Sequence, residues 1–194
     1  MTELEERIMN YSKDRLSAKR FAHVERVVAT LEEICPPAEV SLPDCRLAGW
    51  LHDCAKEESK EMFLDLLAHG SIDLDEETRN QPNLWHGFHA AFIGNQVFGI
   101  ESEDILDAVR FHPTGAPNLS PVGMALFVAD YSEPGRPMSW TREIREQAKA
   151  DLFGAALRVC REKIRYLLGR GREPHSRSFA FAEWLEAGAP SPRA

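Results

Sequence analysis

The chain has 194 residues, 43% hydrophobic and 28% charged, the balance of an ordinary globular protein with enough apolar material for one buried core. Its formal net charge of −8 argues against a nucleic-acid backbone or an anionic membrane as the main partner. A small anionic substrate is still compatible, because a local cationic site or bound metal ions can offset the charge.

The start, MTELEERIMNYSKDRL, is amphipathic and charged and lacks the apolar core of a signal peptide. Ser17 is placed to cap a helix running to about Ile34, with an apolar stripe of Phe21, Val24, Val28 and Leu31, and Pro36-Pro37 ends it. Pro43 suits the first turn of a second helix carrying RLAGWLHDCAKE, with Cys54 inside it as a small apolar residue. Ser59 starts a third helix, SKEMFLDLLAH, and Gly70 is its terminating glycine. Ser71 to Asn83 is a polar connection with some local turn. A fourth helix, NLWHGFHAAFIGNQVF, stops at Gly99, and Ser102 caps a fifth, EDILDAVRFH, closed by Pro113. After the loop TGAPNLS, Ser120-Pro121 opens a sixth helix, VGMALFVADY. The loop SEPGRPMS leads to one long helix from about Thr141 to Leu168, then the basic segment GRGREPHSR and a short helix near Phe179 to Leu185.

No alternating strand pattern and no repeat is present, so the fold class is all-α. The expected division is a core over 1–136, C-terminal helices over 137–194 that pack on the core or pair with a second subunit as a homodimer, and a disordered tail near 189–194. No segment reaches the roughly 20 apolar residues of a membrane span. Cys35, Cys45, Cys54 and Cys160 form no CxxC pair or disulfide framework, which points to free thiols in a reducing, cytoplasmic setting.

The polar residues inside apolar helices carry the chemistry. Asp130 follows six apolar residues in MALFVAD; taken alone, it reads as a carboxylate facing solvent at a helix end. His112 shares a face with Ile105, Ala108 and Val109, and His86 lies with Ile93 and Val97 on a helix apolar almost all round. His23 sits beside Val27 and Thr30. The pair His52-Asp53 interrupts the apolar run LAGWLHDCA. Lys56 stands three residues from Asp53, either reaching the same pocket or solvated at a fraying end. His69 complements a helix dipole, His175 is solvated in a basic loop, and His89 is on a polar face or in the pocket. Five helices that each turn an imidazole, a carboxylate or both inward describe a shared site. The N/O donors suit iron, manganese or zinc.

The ordered series His23, His52-Asp53, His86, His112 and Asp130 resembles the HD-domain metal phosphohydrolases. The words LHDCAK, NLWHGF, ILDAVRFHPTGAPNLS and FVADYSEPGR are similar to the YqeK group, which hydrolyses diadenosine tetraphosphate symmetrically to two ADP. That resemblance implies two metal ions, divalent or of mixed valence, with iron in this group and manganese or another transition metal as alternatives. His23, His52, Asp53 and Asp130 would hold one ion, and Asp53 would bridge to a second held by His86 and His112. Lys56 would stabilise charge on the attacked phosphate or leaving group, and Arg136 would bind distal phosphates, with Arg26 and Thr114 as further contacts. Gly115 and Gly135 would let their loops approach the substrate. The chain departs from the group at Pro113, where a hydroxyl residue is common, at Ala116, where arginine is common, and at Phe88-His89 in place of Pro-Val. The rival readings are another HD-type nucleotide phosphohydrolase or nucleotidase, and a metal-stabilised nucleotide sensor without turnover.

Overall fold

The structure is a computed structural model and describes residues 1–35 and 40–188. Among the described residues every regular element is a helix. The amphipathic start is itself helix α1 (Glu3–Arg15), opened by a reciprocal capping box between Thr2 and Glu5. Ser17 accepts from the Arg20 amide and opens α2 (Ala18–Ile34). Ser41 and Pro43 open α3 (Leu42–Leu51). Ser59 opens α4 (Lys60–Ala68), which closes through Gly70 at φ 67°, with Ser71 N donating to Leu66 O at 2.9 Å. The polar connection carries the short helix α5 (Glu76–Arg79) and a 3₁₀ turn at Pro82–Leu84. Then come α6 (Trp85–Phe98), ended by Gly99, α7 (Glu103–Phe111) and α8 (Pro121–Ser132). The expected Pro36-Pro37 stop and the tail at 189–194 lie outside the described residues.

Three expectations change. The second helix stops at Leu51 rather than carrying HDCAKE, and the chain from His52 continues as tight turns, with Cys54 N bonded to Leu51 O at 3.0 Å and Lys56 N to Asp53 O at 2.8 Å. Cys54 is buried in the core all the same. The long final helix is two, α9 (Thr141–Ala150) and α10 (Leu152–Leu168). They break at Asp151, whose carboxylate accepts from Gly154 N at 2.8 Å as an N-cap and so competes with helix continuation. The last helix, α11 (Ser176–Glu186), is longer than its apolar pattern because His175 caps it.

Helix α8 is the axis. Val122 to Asp130 are all buried, and the helix packs on α2, α3, α7, α9 and α10. A helix apolar on every side has no solvent face and must sit in the middle. One hydrophobic cluster runs from Ile8 on α1 to Leu185 on α11, so the C-terminal helices close the same core that α8 crosses. A smaller cluster of Phe63, Ile72 and Leu74 holds α4 and the following connection against Trp85 and Phe88. No described helix is long and apolar enough to cross a membrane.

Glu5 anchors α1 to α3: it is buried and accepts from Arg46 Nε at 2.7 Å and Thr2 N at 2.6 Å. Burial alone would raise its pKa, but the bonds from Arg46 and Thr2 outweigh that and hold it below the usual glutamate value. A depressed folded-state pKa stabilises the fold above the unfolded value and loses that contribution as pH falls through the folded one. The melting temperature should therefore fall as pH drops below about 4.5. Glu5→Gln should cost about 1 kcal/mol at pH 7 and flatten that acid dependence. A Glu5→Gln protein with the wild-type pH profile would remove Glu5 as the cause.

Candidate metal centre

Two of the histidines are aimed by helix ends. In a continued helix the Gly49 carbonyl would take the amide of Asp53; instead His52 Nδ1 donates to it at 2.7 Å. Pro113 has no amide proton, so the Val109 carbonyl is free, and His112 Nδ1 donates to it at 2.7 Å. A carbonyl only accepts, so each Nδ1 carries the proton, and in the neutral ring the lone pair is on Nε2, pointing inward. His23 is oriented by Glu133, whose Oε1 is 3.1 Å from its Nδ1. On α6, His86 meets His112 with their Nε2 atoms 3.1 Å apart.

That meeting depends on Gly87. A Cβ there would lie 2.7 Å from the Arg110 carbonyl oxygen and 3.1 Å from that of Val109. The obstruction is backbone, so only glycine lets α6 approach α7 this closely.

All six expected ligands are buried and meet at one point. Asp53 Oδ1 is 3.3 Å from His86 Nε2 and 3.6 Å from His112 Nε2; Asp53 Oδ2 is 3.7 Å from His52 Nε2 and 3.8 Å from His23 Nε2. Asp130 Oδ1 is 3.0 Å from His23 Nε2, close but without hydrogen-bond alignment. His23 Nε2, His52 Nε2 and Asp53 Oδ1 are buried without a hydrogen-bond partner. Orphaned buried polar atoms are costly, and three converging on one point fit a cation that is their missing partner. His23, His52 and Asp130 form one compact donor group and His52, Asp53 and His112 another, in keeping with divalent metal ions. Thiolates are absent from both groups.

The electrostatics keep the donors ready. Burial pushes His52 down to about 3 and His86 down to about 4, so both rings are neutral near pH 7. Burial would raise Asp53, but the imidazoles of His52, His112 and His86 hold it well below the carboxylate range. Burial likewise opposes ionisation of Asp130, and Arg136 and His23 outweigh it. Three cations surround the carboxylates. Arg20 Nη1 donates to Asp53 Oδ2 at 3.1 Å, Arg136 Nη2 to Asp130 Oδ1 at 2.5 Å, and Lys56 Nζ lies 4.0 Å from Asp53 Oδ1 and 3.0 Å from His86 Nε2. Lys56 thus reaches the pocket rather than solvent.

Other expected positions fall differently. Asp130 is buried rather than facing solvent, because the EPGR turn folds Arg136 back over it. Val97 is exposed and shares no buried face with His86. His175 is buried, with Nε2 2.9 Å from Thr78 Oγ1, because the start of α11 is strapped to α5 and its cap by Ser176–Glu77 and Arg177–Asp75 contacts. His89 is buried against Phe63 and lines a small cavity with Lys56 and His86. His69 is exposed and bonds the Asp65 carbonyl at 2.7 Å. Arg26 is engaged by Glu133, with Nε donating at 2.5 Å, and Gly135 makes room for that guanidinium, which a Cβ would meet at 2.6 Å. Gly115, at φ 69°, makes room for the Phe181 ring rather than for a ligand. Thr114 is buried and lines the cavity that contains Lys56. Sequence reading missed Glu133 and Arg20. The signal for Arg20 was a cation one turn before His23, and for Glu133 a carboxylate three residues after Asp130.

A helical core that gathers ordered histidines around an adjacent His-Asp pair defines the HD class of hydrolases. The HD domain matches residues 20–135, and the chain belongs to that family. It is 32% identical to the symmetrical bis(5'-nucleosyl)-tetraphosphatase of Halalkalibacterium halodurans over 82% of this chain and 85% of that one. It is 28% identical to the enzyme of the same name from Bacillus subtilis, over 91% and 95%. The crystal structure of a predicted HD superfamily hydrolase involved in NAD metabolism from Clostridium acetobutylicum superposes with a TM-score of 0.86 at 30% identity, covering 94% of this chain and 97% of that one. The protein is an HD-domain hydrolase related to the symmetrical tetraphosphatases.

Two outcomes test the centre. Ferrous or manganous ion at about 100 times its Kd should stabilise the wild type by about 2.7 kcal/mol, and Asp53→Ala should abolish both metal content and that gain. Gly87→Ala should cost about 1–3 kcal/mol and lower metal occupancy by parting His86 from His112. Full occupancy in Gly87→Ala, measured by elemental analysis, would count against this packing argument.

Proposed function

We propose that the protein hydrolyses diadenosine tetraphosphate symmetrically to two ADP, using two metal ions held by His23, His52, Asp53, His86, His112 and Asp130, with Asp53 shared between them and iron as the resident metal. The observation that carries this reading is the convergence of those six buried donors with three orphaned atoms among them. Bound there, a metal pair would lower the pKa of a water at neutral pH and neutralise charge on phosphate oxygens.

The chain's own residues do the rest. The backbone carbonyls of Gly49 and Val109 keep the Nε2 lone pairs of His52 and His112 inward, so the donors need no reorganisation. Lys56 sits at the edge of the donor cluster, and its ammonium stabilises charge on the attacked phosphate or the leaving group. Arg136 is partly exposed at the mouth, and its fork suits the more distant phosphates. Thr114 lines the same cavity as Lys56, while Arg26 acts through Glu133 rather than on the ligand. The relatives that support this substrate are tetraphosphatases by name.

One observation favours a second reading, a related nucleotide polyphosphate: Ala116 stands where the group commonly has arginine, and it is buried, so that phosphate contact is missing.

Lys56→Ala should keep its metal and lose about 100-fold in kcat. In a substrate panel followed by product chromatography, diadenosine tetraphosphate should give two ADP. Inorganic phosphate from mononucleotides would instead identify a nucleotidase, and no hydrolysis with iron or manganese under reducing conditions would identify a sensor.

A further inference from the structure

Beside the metal centre lie two cavities of similar size. One, about 640 Å³, is bounded by Lys56, Thr114, Tyr131, Lys163 and Arg172. The other, about 570 Å³, is bounded by Arg136, Trp140, Lys163, Tyr166 and Arg170. Each is of the size that accommodates a small organic ligand. They meet along Tyr131, Lys163 and Leu167, and each touches the centre's surroundings, the first through Lys56 and the second through Arg136.

Lys163 is half-buried at this junction. Its ammonium lies 4.8 Å from the Tyr131 ring centre and 5.7 Å from that of Phe127, and it has no ion pair among the described residues. Cations elsewhere on α10 do find acidic partners: Arg158 pairs with Glu143, Arg161 with Glu186 and Arg165 with Glu162. A lysine without a carboxylate, on a chain of net charge −8, beside a buried metal centre, is suited to an anion. In the second cavity, Arg170 lies 4.5 Å over the Tyr166 ring, and that ring is half exposed, so a flat base has an aromatic face and a guanidinium plane available to it.

We propose that these two cavities receive the two nucleotide halves of a dinucleoside polyphosphate, with Lys163 on the bridging phosphates where they meet and Tyr166 with Arg170 holding the nucleoside of the second half. The proposal rests on the dinucleoside polyphosphate reading above and adds α10 to the substrate site, which the family match at residues 20–135 does not reach.

Isothermal calorimetry on metal-loaded protein tests it, using ADP and a diadenosine tetraphosphate with a methylene group in place of the central bridging oxygen. Wild type should bind two ADP per chain but one dinucleotide. Tyr166→Ala combined with Arg170→Ala changes only exposed side chains and should leave one ADP per chain and weaken the dinucleotide about tenfold. Lys163→Met should lower the ratio of dinucleotide to ADP affinity by a similar factor. One ADP per chain in the wild type, or unchanged dinucleotide affinity in the variants, overturns the proposal even if the wild type makes two ADP from diadenosine tetraphosphate. Conversely, two ADP sites with one lost in the double variant, in a protein that does not cleave the tetraphosphate, keeps the two subsites and removes the substrate reading.

Discussion

A fully desolvated carboxylate, Asp53, governs the architecture. An isolated ionised carboxylate in such a place costs several kcal/mol, so the fold has to surround it with compensation. It does so with Arg20 and Lys56 on the outer side, while four imidazoles bring their Nε2 atoms within 3.8 Å of one or other oxygen and leave a position between them for a cation. Those residues come from α2, α6, the ends of α3 and α7, and the turns after α3, so satisfying one charge requires several helices to converge. The same convergence leaves a site that fits metal ions.

The way the histidines are held explains why helix ends matter here. A histidine in mid-helix has no spare backbone acceptor nearby, because each carbonyl is already paired. At a C-terminus carbonyls are free, and His52 and His112 each use the one three residues back. The effect is to fix both tautomer and direction without another side chain. Pro113 strengthens this arrangement by withholding the amide that would otherwise compete for Val109 O.

Charge is sorted by location. The chain is acidic overall, yet the openings beside the centre are edged by six cations, Lys56, Arg136, Lys163, Arg165, Arg170 and Arg172, against two carboxylates, Glu162 and Glu173. Arg136 lies against Asp130, and Arg26 is tied to Glu133, which in turn orients His23. The EPGR turn thus links ligand orientation to the rim of the opening. The long C-terminal helices take part in this, since α10 packs on α8, which carries Asp130, and lines both openings.

Much of this was legible in the order of residues. Cap residues at Ser17, Ser59 and Ser120, the glycine at position 99 and the period of the apolar stripes determine where helices start and stop, because these are local effects of hydrogen bonding and steric freedom. The six donors could be named because polar residues in apolar faces need partners and because their order resembles that of the HD-domain phosphohydrolases, whereas the central place of α8 was settled by packing. The exact end of α3, the break at Asp151, the burial of His89 and His175, and the use of Gly87, Gly115 and Gly135 were decided only by tertiary structure. Each depends on what a distant segment supplies: a ring for Gly115 to admit, a carbonyl for Gly87 to clear, a threonine for His175 to meet. Local sequence specifies which groups need partners; only packing settles which partners they get.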